Sequence, residues 1–512
     1  MNRYHYLMRS TAIASGLLIG AEVNAAKDLS WEKADLHEVA IMMSEPMMRV
    51  DGSYHELLDA YYLKPVYGAN NTVMAPLEDI LDELNGFYVT NGNQVKIELN
   101  GRIVEMSLGS QIALVNENTV EMPITPQKFD DALYLPFKFV FEQLGAKYSW
   151  NKKRERAVAT LLRPKGSMFK SEKGPISLKT IYKKDDGWFV SAEAKQVAEA
   201  MLRNQNTDGG WFKVGSSASL AQVYNRDTFP MYRQKSTIDN DATYVQITTL
   251  AKVYGHTQDE RYKESALRGI EYLINGQLNN GGWPQFFPET RGYHKHITFN
   301  DDAISNTLTV LRDVASQKGG YKFISDTMAS AAKEAVEKGI ALILDRQVVV
   351  NGKKTGWCAQ YHYQTLECEK GRSYELAAIS GGESVKVVKF LMSIENPSQD
   401  VINAVHDAVA FLQSQSIKDK KLVKVKDPTL EFGVDRVVID KKGAVSWPRF
   451  IDSTTLEPLF SNRQGDRLNR FDDISYERSV KYSWLVTSPN KLINELYPKW
   501  QKNYASTMHV SL

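Results

Sequence analysis

The stretch Gln205-Asn206-Thr207-Asp208-Gly209-Gly210-Trp211 returns as Gln277-Leu278-Asn279-Asn280-Gly281-Gly282-Trp283, 72 positions further on (277 against 205). Each copy closes a segment of helical periodicity. Before the second copy, Leu267, Ile270, Leu273, Ile274 and Gln277 recur at three- and four-residue steps, which puts them on one stripe of a helix. Two glycines at a helix end supply the left-handed cap, and the tryptophan behind them pins the loop to the next helix. The spacing continues at Ile304, Leu308 and Leu311, and again at Val385, Val388 and Met392. Further helices are expected over residues 192–203, 241–254, 327–344 and 398–412. Amphipathic helices of similar length, joined by glycine-rich loops, predict stacked helical hairpins. The expected class is mainly α, an (α/α) toroid or barrel with a smaller N-terminal domain.

That smaller domain, residues 31–162, reads as α+β and mostly β. Val95-Lys96-Ile97-Glu98-Leu99 alternates apolar with charged residues, Asn100-Gly101 is a hairpin turn, and Ile103-Val104-Glu105-Met106 returns. A strand running into a helix is expected over residues 133–144, stopped by Gly145, and a second hairpin over 147–161. Residues 163–187, rich in Pro, Gly, Lys and Ser, read as a linker to a helical domain over 188–512.

At the N-terminus, Arg3 and Arg9 accompany an apolar run over residues 11–20, and Val23-Asn24-Ala25 offers small residues for cleavage. Residues 1–25 are therefore expected to be a signal peptide directing the chain to the periplasm or the medium. The apolar run is shorter than the roughly 18 residues a membrane-spanning helix needs, and no span is expected. A formal net charge of +2, with 43% hydrophobic and 24% charged residues, argues against nucleic acid as the main partner. It leaves room for an acidic ligand held by a local arginine cluster. Cys358 and Cys368 permit one disulfide or two free thiols, and nothing in their spacing decides between them.

Four segments carry polar groups suited to chemistry. Ser236-Thr237-Ile238-Asp239-Asn240-Asp241-Ala242 and His296-Ile297-Thr298-Phe299-Asn300-Asp301-Asp302-Ala303 both place acids just before an apolar helix. Capping explains each singly. Two such starts at one phase of a repeat can converge, and paired carboxylates with amide oxygens suit calcium or glycosidase-type acid–base work. The third runs from Thr355 through Arg372 to Ser380-Gly381-Gly382-Glu383-Ser384, where Arg372 is the ligand candidate and Glu383 reads as a helix-start acid. The fourth brings Arg449 and Arg463 in non-helical context. His294 and His296 are a conceivable metal pair but read as solvent-facing loop residues.

The helical part resembles polysaccharide lyase family 10, the pectate lyases with a helical toroid domain. The shared text includes Gly281-Gly282-Trp283-Pro284-Gln285-Phe286-Phe287-Pro288, Ile297-Thr298-Phe299-Asn300-Asp301, Trp357-Cys358-Ala359-Gln360, Val434-Asp435-Arg436-Val437-Val438 and Tyr476-Glu477-Arg478. The resemblance implies cleavage of polygalacturonate by calcium-assisted β-elimination; separately, the chain is expected to be a monomer. It implies that Asp239 and Asp301 hold the calcium, that Arg463 is the base, and that Arg372 and Arg449 bind substrate carboxylates. Asn240 and Lys213 are counted with the substrate-binding groups; Lys213 keeps its charge although Phe212 replaces the family's proline. Tyr361-His362, Ile451-Asp452 and Leu456-Glu457-Pro458 also depart from the family pattern and bear on subsite preference. An arginine base implies an alkaline optimum. The stretch Leu135-Pro136-Phe137-Lys138-Phe139-Val140-Phe141-Glu142-Gln143-Leu144-Gly145-Ala146 resembles copper-amine-oxidase N-terminal-like domains, read here as a non-catalytic accessory module. Two rivals are weighed: a terpenoid-cyclase-type enzyme on the same helical scaffold, and a catalytically silent pectate-binding protein. The first needs an apolar cavity that three polar-loop arginines do not suit.

Overall fold

The computed structural model describes residues 35–43, 47–57, 65–84, 86–129, 132–163, 177–181, 183–213, 235–288 and 292–504. The expected signal peptide and most of the expected linker lie outside these residues.

The N-terminal part is built from antiparallel strands. One five-stranded sheet runs Lys147–Asn151, Arg156–Arg163, Asp35–Met42, Met47–Val50, Ser53–Glu56 in spatial order. A second is a meander from Phe87–Asn91 through Gln94–Leu99 and Arg102–Ser107 to Ile112–Val115 and Asn118–Glu121. In the meander Val95, Ile97 and Leu99 are buried while Glu98 faces out, which is the period-two pattern of a half-buried strand. Asn100 and Gly101 both take positive φ, 51° and 74°, as the tight hairpin turn requires. Two short helices, α1 (Glu78–Glu83) and α2 (Phe137–Gln143), accompany the sheets. Phe137, Val140 and Phe141 of α2 join Val39, Ile41 and Ile97 in a core separate from that of the helical part.

The helical part begins with α3 (Leu178–Ile181) and α4 (Ala192–Asn204). Three helical hairpins follow: α5 (Tyr244–Thr257) with α6 (Glu260–Asn275), α7 (Ala303–Ala315) with α8 (Asp326–Asp345), and α9 (Glu383–Met392) with α10 (Gln399–Ser414). The starts of α4, α6, α8 and α10 are capped by Ser191, Asp259, Ser325 and Ser398, whose side chains accept from backbone N–H groups in the first turn. Helices α5, α7 and α9 form one row and α6, α8 and α10 the other, so the hairpins stack side by side.

Two expectations are corrected. The chain is not mainly α: of the described residues 39% are helix and 28% strand. Beyond the N-terminal sheets, a long two-stranded ribbon, Ile417–Lys426 with Val434–Pro448, rises between α10 and the site loops. Its lysine-rich strands alternate too weakly for a helical-period reading to find them. Nor is a closed toroid established. Among the described residues no substantial packing returns from α9 or α10 to α4, α5 or α6.

The repeat is a repeated hydrogen-bond device. Gln205 Nε2 donates to the carbonyls of Gly209 and of Ser265 on α6; Gln277 Nε2 does the same to Gly281 and to Ala335 on α8. Each tryptophan indole N–H returns to the helix before it, Trp211 to Met201 and Trp283 to Leu273. Two further copies exist that the spacing hides. Gln347 bridges Thr355 and Ala404 on α10, and Trp357 donates to Ile343. Trp447 donates to Leu412, after the ribbon has intervened.

Gly281 sits at φ +91°, and a Cβ there would meet the Lys338 carbonyl oxygen at 2.4 Å, on α8. Gly255, in the last turn of α5, has open space and no special φ. Gly281→Ala is expected to cost about 2–4 kcal/mol. Gly255→Ala should stabilise by about 0.5 kcal/mol. Urea midpoints of the two variants should therefore move in opposite directions.

Candidate active site

The four tryptophan loops and the starts of α5, α7 and α9 meet at one end of the hairpin stack. The second residue after each tryptophan is Lys213, Gln285, Ala359 or Arg449, and the helix starts carry Asp239 and Asn240, Asn300 and Asp301, and Glu383. Asp239 is buried, at 1% exposure. Its carboxylate accepts from Lys213 Nζ and, at 2.8 Å, from Asn240 Nδ2. Burial pushes this carboxyl up, but Lys213 and Asn240 outweigh it and hold the group below its ordinary value. Asn240 and Asp241 both have positive φ, and so do Asp301 and Asp302. Such paired left-handed residues without glycine cost of order 1–3 kcal/mol each, and they cluster at functional sites.

Asp301 is the counterpart. Burial and the neighbouring Asp239 charge push its carboxyl up to about 6, against Lys213, Arg449 and Arg372. Four of the expected residues thus act on a fifth: Lys213, Asp239, Arg372 and Arg449 on Asp301. Asn240, bonded to Asp239, belongs to the same group. Arg449 Nη2 reaches Asn300 Oδ1 and Glu383 Oε1, both at 3.5 Å, and its guanidinium lies 4.9 Å from the Tyr482 ring centre. Its Nε is buried without a hydrogen-bond partner, as is Gln285 Oε1. Unsatisfied buried polar atoms at a shared centre are what a bound polar ligand would complete.

Arg372 is clamped by Glu375, through Nε at 2.9 Å and Nη2 at 2.6 Å, and Tyr482 Oη donates to the same carboxylate at 2.6 Å. Burial opposes ionisation of Glu375, and Arg372 and Tyr482 overcome it, leaving the carboxyl at about 2. Arg463 is held the same way by Glu477, with Nε at 2.8 Å and Nη2 at 2.9 Å, and Arg478 shares that carboxylate. The guanidinium groups of Arg372, Arg463 and Arg478 all lie within 5.5 Å of the Tyr374 ring centre. Arg463 therefore joins the site through Tyr374 and Arg372; it is not among the charges that act on Asp301.

Glu383 is a site residue that the sequence reading passed over as a helix-start acid. Burial, with Asp301 and Asp302, pushes it up to about 8 against Arg449 and Lys386. The signal that would have found it is the third Trp loop, from which α9 starts at the same phase as α7. His296 corrects the solvent-facing reading: it is 1% exposed and packs against His362, with ring centres 5.0 Å apart. His296, His362 and Glu369 lie within reach of one metal ion. However, His362 Nδ1 accepts from the backbone N–H groups of Gln364 and Thr365, so the proton of the neutral ring sits on Nε2. Imidazole nitrogens are also the wrong donors for calcium, which takes oxygen. Asp239, Asp301, Asn240 and Asn300 offer carboxylate and amide oxygens, the hard donors that calcium takes. That set fits calcium. Cys358 and Cys368 are joined in a disulfide.

Comparison with known proteins gives the family of the chain. No curated protein matches the chain. Residues 50–159 match the copper amine oxidase N-terminal domain. A solved structure of the family 10 polysaccharide lyase from Cellvibrio cellulosa is 29% identical, with a TM-score of 0.53, covering 65% of this chain and 98% of that one. A mutant of the Cellvibrio cellulosa enzyme, in complex with trigalacturonic acid, is 28% identical with the same TM-score, covering 67% of this chain and 100% of that one. The pectic acid lyase family model matches residues 205–493, more than half of the chain, and the protein belongs to that family.

Proposed function

We propose that this protein is a pectate lyase that cleaves α-1,4-linked polygalacturonate by β-elimination, releasing oligogalacturonides with an unsaturated end. The observation that carries the reading is the meeting of Asp239 and Asp301 with Lys213, Arg372 and Arg449 at one partly buried centre. Membership of the family and the trigalacturonic acid complex of its Cellvibrio relative support the substrate class.

In the elimination, the proton on C5 leaves, the C4–O bond breaks, and a C4–C5 double bond forms. The proton is acidified by neutralising the neighbouring carboxylate. Arg449, with its unsatisfied Nε, and Arg372 bind that carboxylate and stabilise the charge that develops on it. Lys213 contributes a third cation beside Asp239. Asp239 and Asp301, with Asn240 and Asn300, would hold calcium, which supplies Lewis-acid charge neutralisation when bound. Arg463 takes the C5 proton, oriented by Glu477.

The reading extends to organisation. Residues 1–25 are proposed as a signal peptide, 31–162 as the accessory domain, 163–187 as a linker and 188–512 as the lyase domain. The Cys358–Cys368 disulfide supports an oxidising, exported location. Among the described residues no helix is long and apolar enough to cross a membrane.

The test is the ultraviolet absorbance of unsaturated product when purified protein meets polygalacturonate at alkaline pH. Absorbance should rise with calcium and stay flat with a chelator. A flat trace in both conditions from folded protein overturns the lyase reading and favours a silent binding protein.

A further inference from the structure

The N-terminal domain carries a charged groove that the elimination does not use. In the five-stranded sheet, Ala40 pairs with Val158 on one side and Arg49 on the other, while Met42 pairs with Arg156. Cross-strand partners share a face, so Arg49, Ala40, Val158 and Arg156 lie on the same side. The opposite side carries Val39, Ile41, Ala157 and Ala159, all buried in the domain core. Small Ala40 at the middle of the face, with longer arginines flanking it, leaves a depression. The groove measures about 500 Å3 and is also lined by Lys152, Arg154 and Trp150.

Among the described residues that line it are four cations, Arg49, Lys152, Arg154 and Arg156, and one acid, Glu38. The whole chain has a net charge of only +2, so this local excess is not a sample of a generally basic surface. Arg154 also approaches Glu431 at 3.4 Å, a pair of exposed groups that screening leaves weak. At the lip, Trp150 is 38% exposed and its ring centre lies 6.4 Å from that of Tyr67, itself 53% exposed. Exposed aromatic rings beside a row of cations match the apolar faces and carboxylates of acidic sugars. Arg49 and Arg156 stand on strands either side of Asp35–Met42 and two residues out of step along it, so their backbones are roughly 11–12 Å apart. A chain with a carboxylate on every unit can meet such a spread row of cations at several points.

We infer that this face of the N-terminal domain is a second polyuronate-binding site, separate from the catalytic centre, which holds the polymer while the lyase domain works. The identity of the polymer rests on the lyase reading above. The carboxylates lie along the groove and the Trp150–Tyr67 pair receives the ring faces.

The test uses the full-length protein in native gels containing polygalacturonate and a chelator, which silences turnover. In Lys152→Gln/Arg154→Gln, and in that variant with Arg156→Gln added, retardation by the polymer should weaken. The triple variant should bind about tenfold less tightly, the combined worth of three exposed charge contacts. Turnover of trigalacturonate, which has too few units to be held at two sites at once, should be unchanged in both. Wild-type retardation in the variants overturns the inference. So does an equal loss of retardation on a neutral glucan, or a parallel fall in trigalacturonate turnover. If wild-type protein makes no unsaturated product yet the variants lose retardation, the lyase reading fails and the groove stands. If wild-type protein turns over substrate and the variants are retarded like it, the groove fails and the lyase reading stands.

Discussion

Arg463→Ala should lower kcat on polygalacturonate by roughly a hundred- to ten-thousandfold, the range a positioned general base contributes. KM should change little, because Arg372 and Arg449 remain to bind carboxylates. Thermal stability should fall only modestly. The reason is the shared carboxylate: Glu477 keeps its two bonds from Arg478, at 2.6 and 2.5 Å, when Arg463 is removed. No buried charge is stranded, and the cost is mainly that of truncating a packed side chain. Arg463→Lys should not rescue, since an ammonium cannot reproduce the two-pronged seat on Glu477. An arginine acts as base only after its guanidinium has given up a proton, so the wild-type rate should climb with pH. A variant retaining more than a tenth of wild-type kcat, or a profile peaking below neutrality, removes Arg463 from the base role.

The parts of the site that could be read from sequence are those carried by the short repeat. The Gly-Gly-Trp loops at 211 and 283 keep the same six-residue step from Gln to Trp, and the acids after them, Asp239 and Asp301, do converge. The third and fourth loops were hidden by insertions. Gln347 and Trp357 are separated by a small hairpin at Val349–Val350 and Lys353–Lys354, and Trp447 stands at the end of a ribbon of some thirty residues, counted from the strand bounds. Hydrogen-bond geometry restores their equivalence where spacing cannot. Glu383 was legible only as a cap because helix starts favour acids whatever else they do. His296 looked exposed because histidine in a polar loop usually is. The strand Ile297–Thr298 pairs with Gln360–Tyr361 and turns it inward. The fold class went astray for a related reason: periodicity finds long amphipathic helices well, and short strands and an exposed ribbon poorly.

Glu375→Gln should be among the most destabilising single changes in the lyase part and should lower kcat/KM as well. Glu375 is 6% exposed and accepts from Arg372 Nε, Arg372 Nη2, the Arg372 backbone N–H and Tyr482 Oη. Neutralising it leaves the half-buried Arg372 guanidinium without its counter-charge, a loss at the lower end of the roughly 3–5 kcal/mol of broken buried pairs, since solvent screens part of it. The same figure follows in outline from the carboxyl itself. A fall from an ordinary 4.5 to about 2 is on the order of 3 kcal/mol of preference for the charged form in the folded chain. Because the folded value is the lower one, this stabilisation is fully present above about 4.5. It is lost as pH falls from there through about 2. Glu477, also near 2, titrates across the same window and adds its own slope. Urea unfolding at pH 7 should show the deficit in Glu375→Gln, and the gap to wild type should close as pH is lowered from 4.5 towards 2. A gap that stays constant across that window would mean the glutamine disturbs packing alone, and that Arg372 owes its position to Tyr374 and Tyr482, which lie 5.2 and 5.6 Å from it.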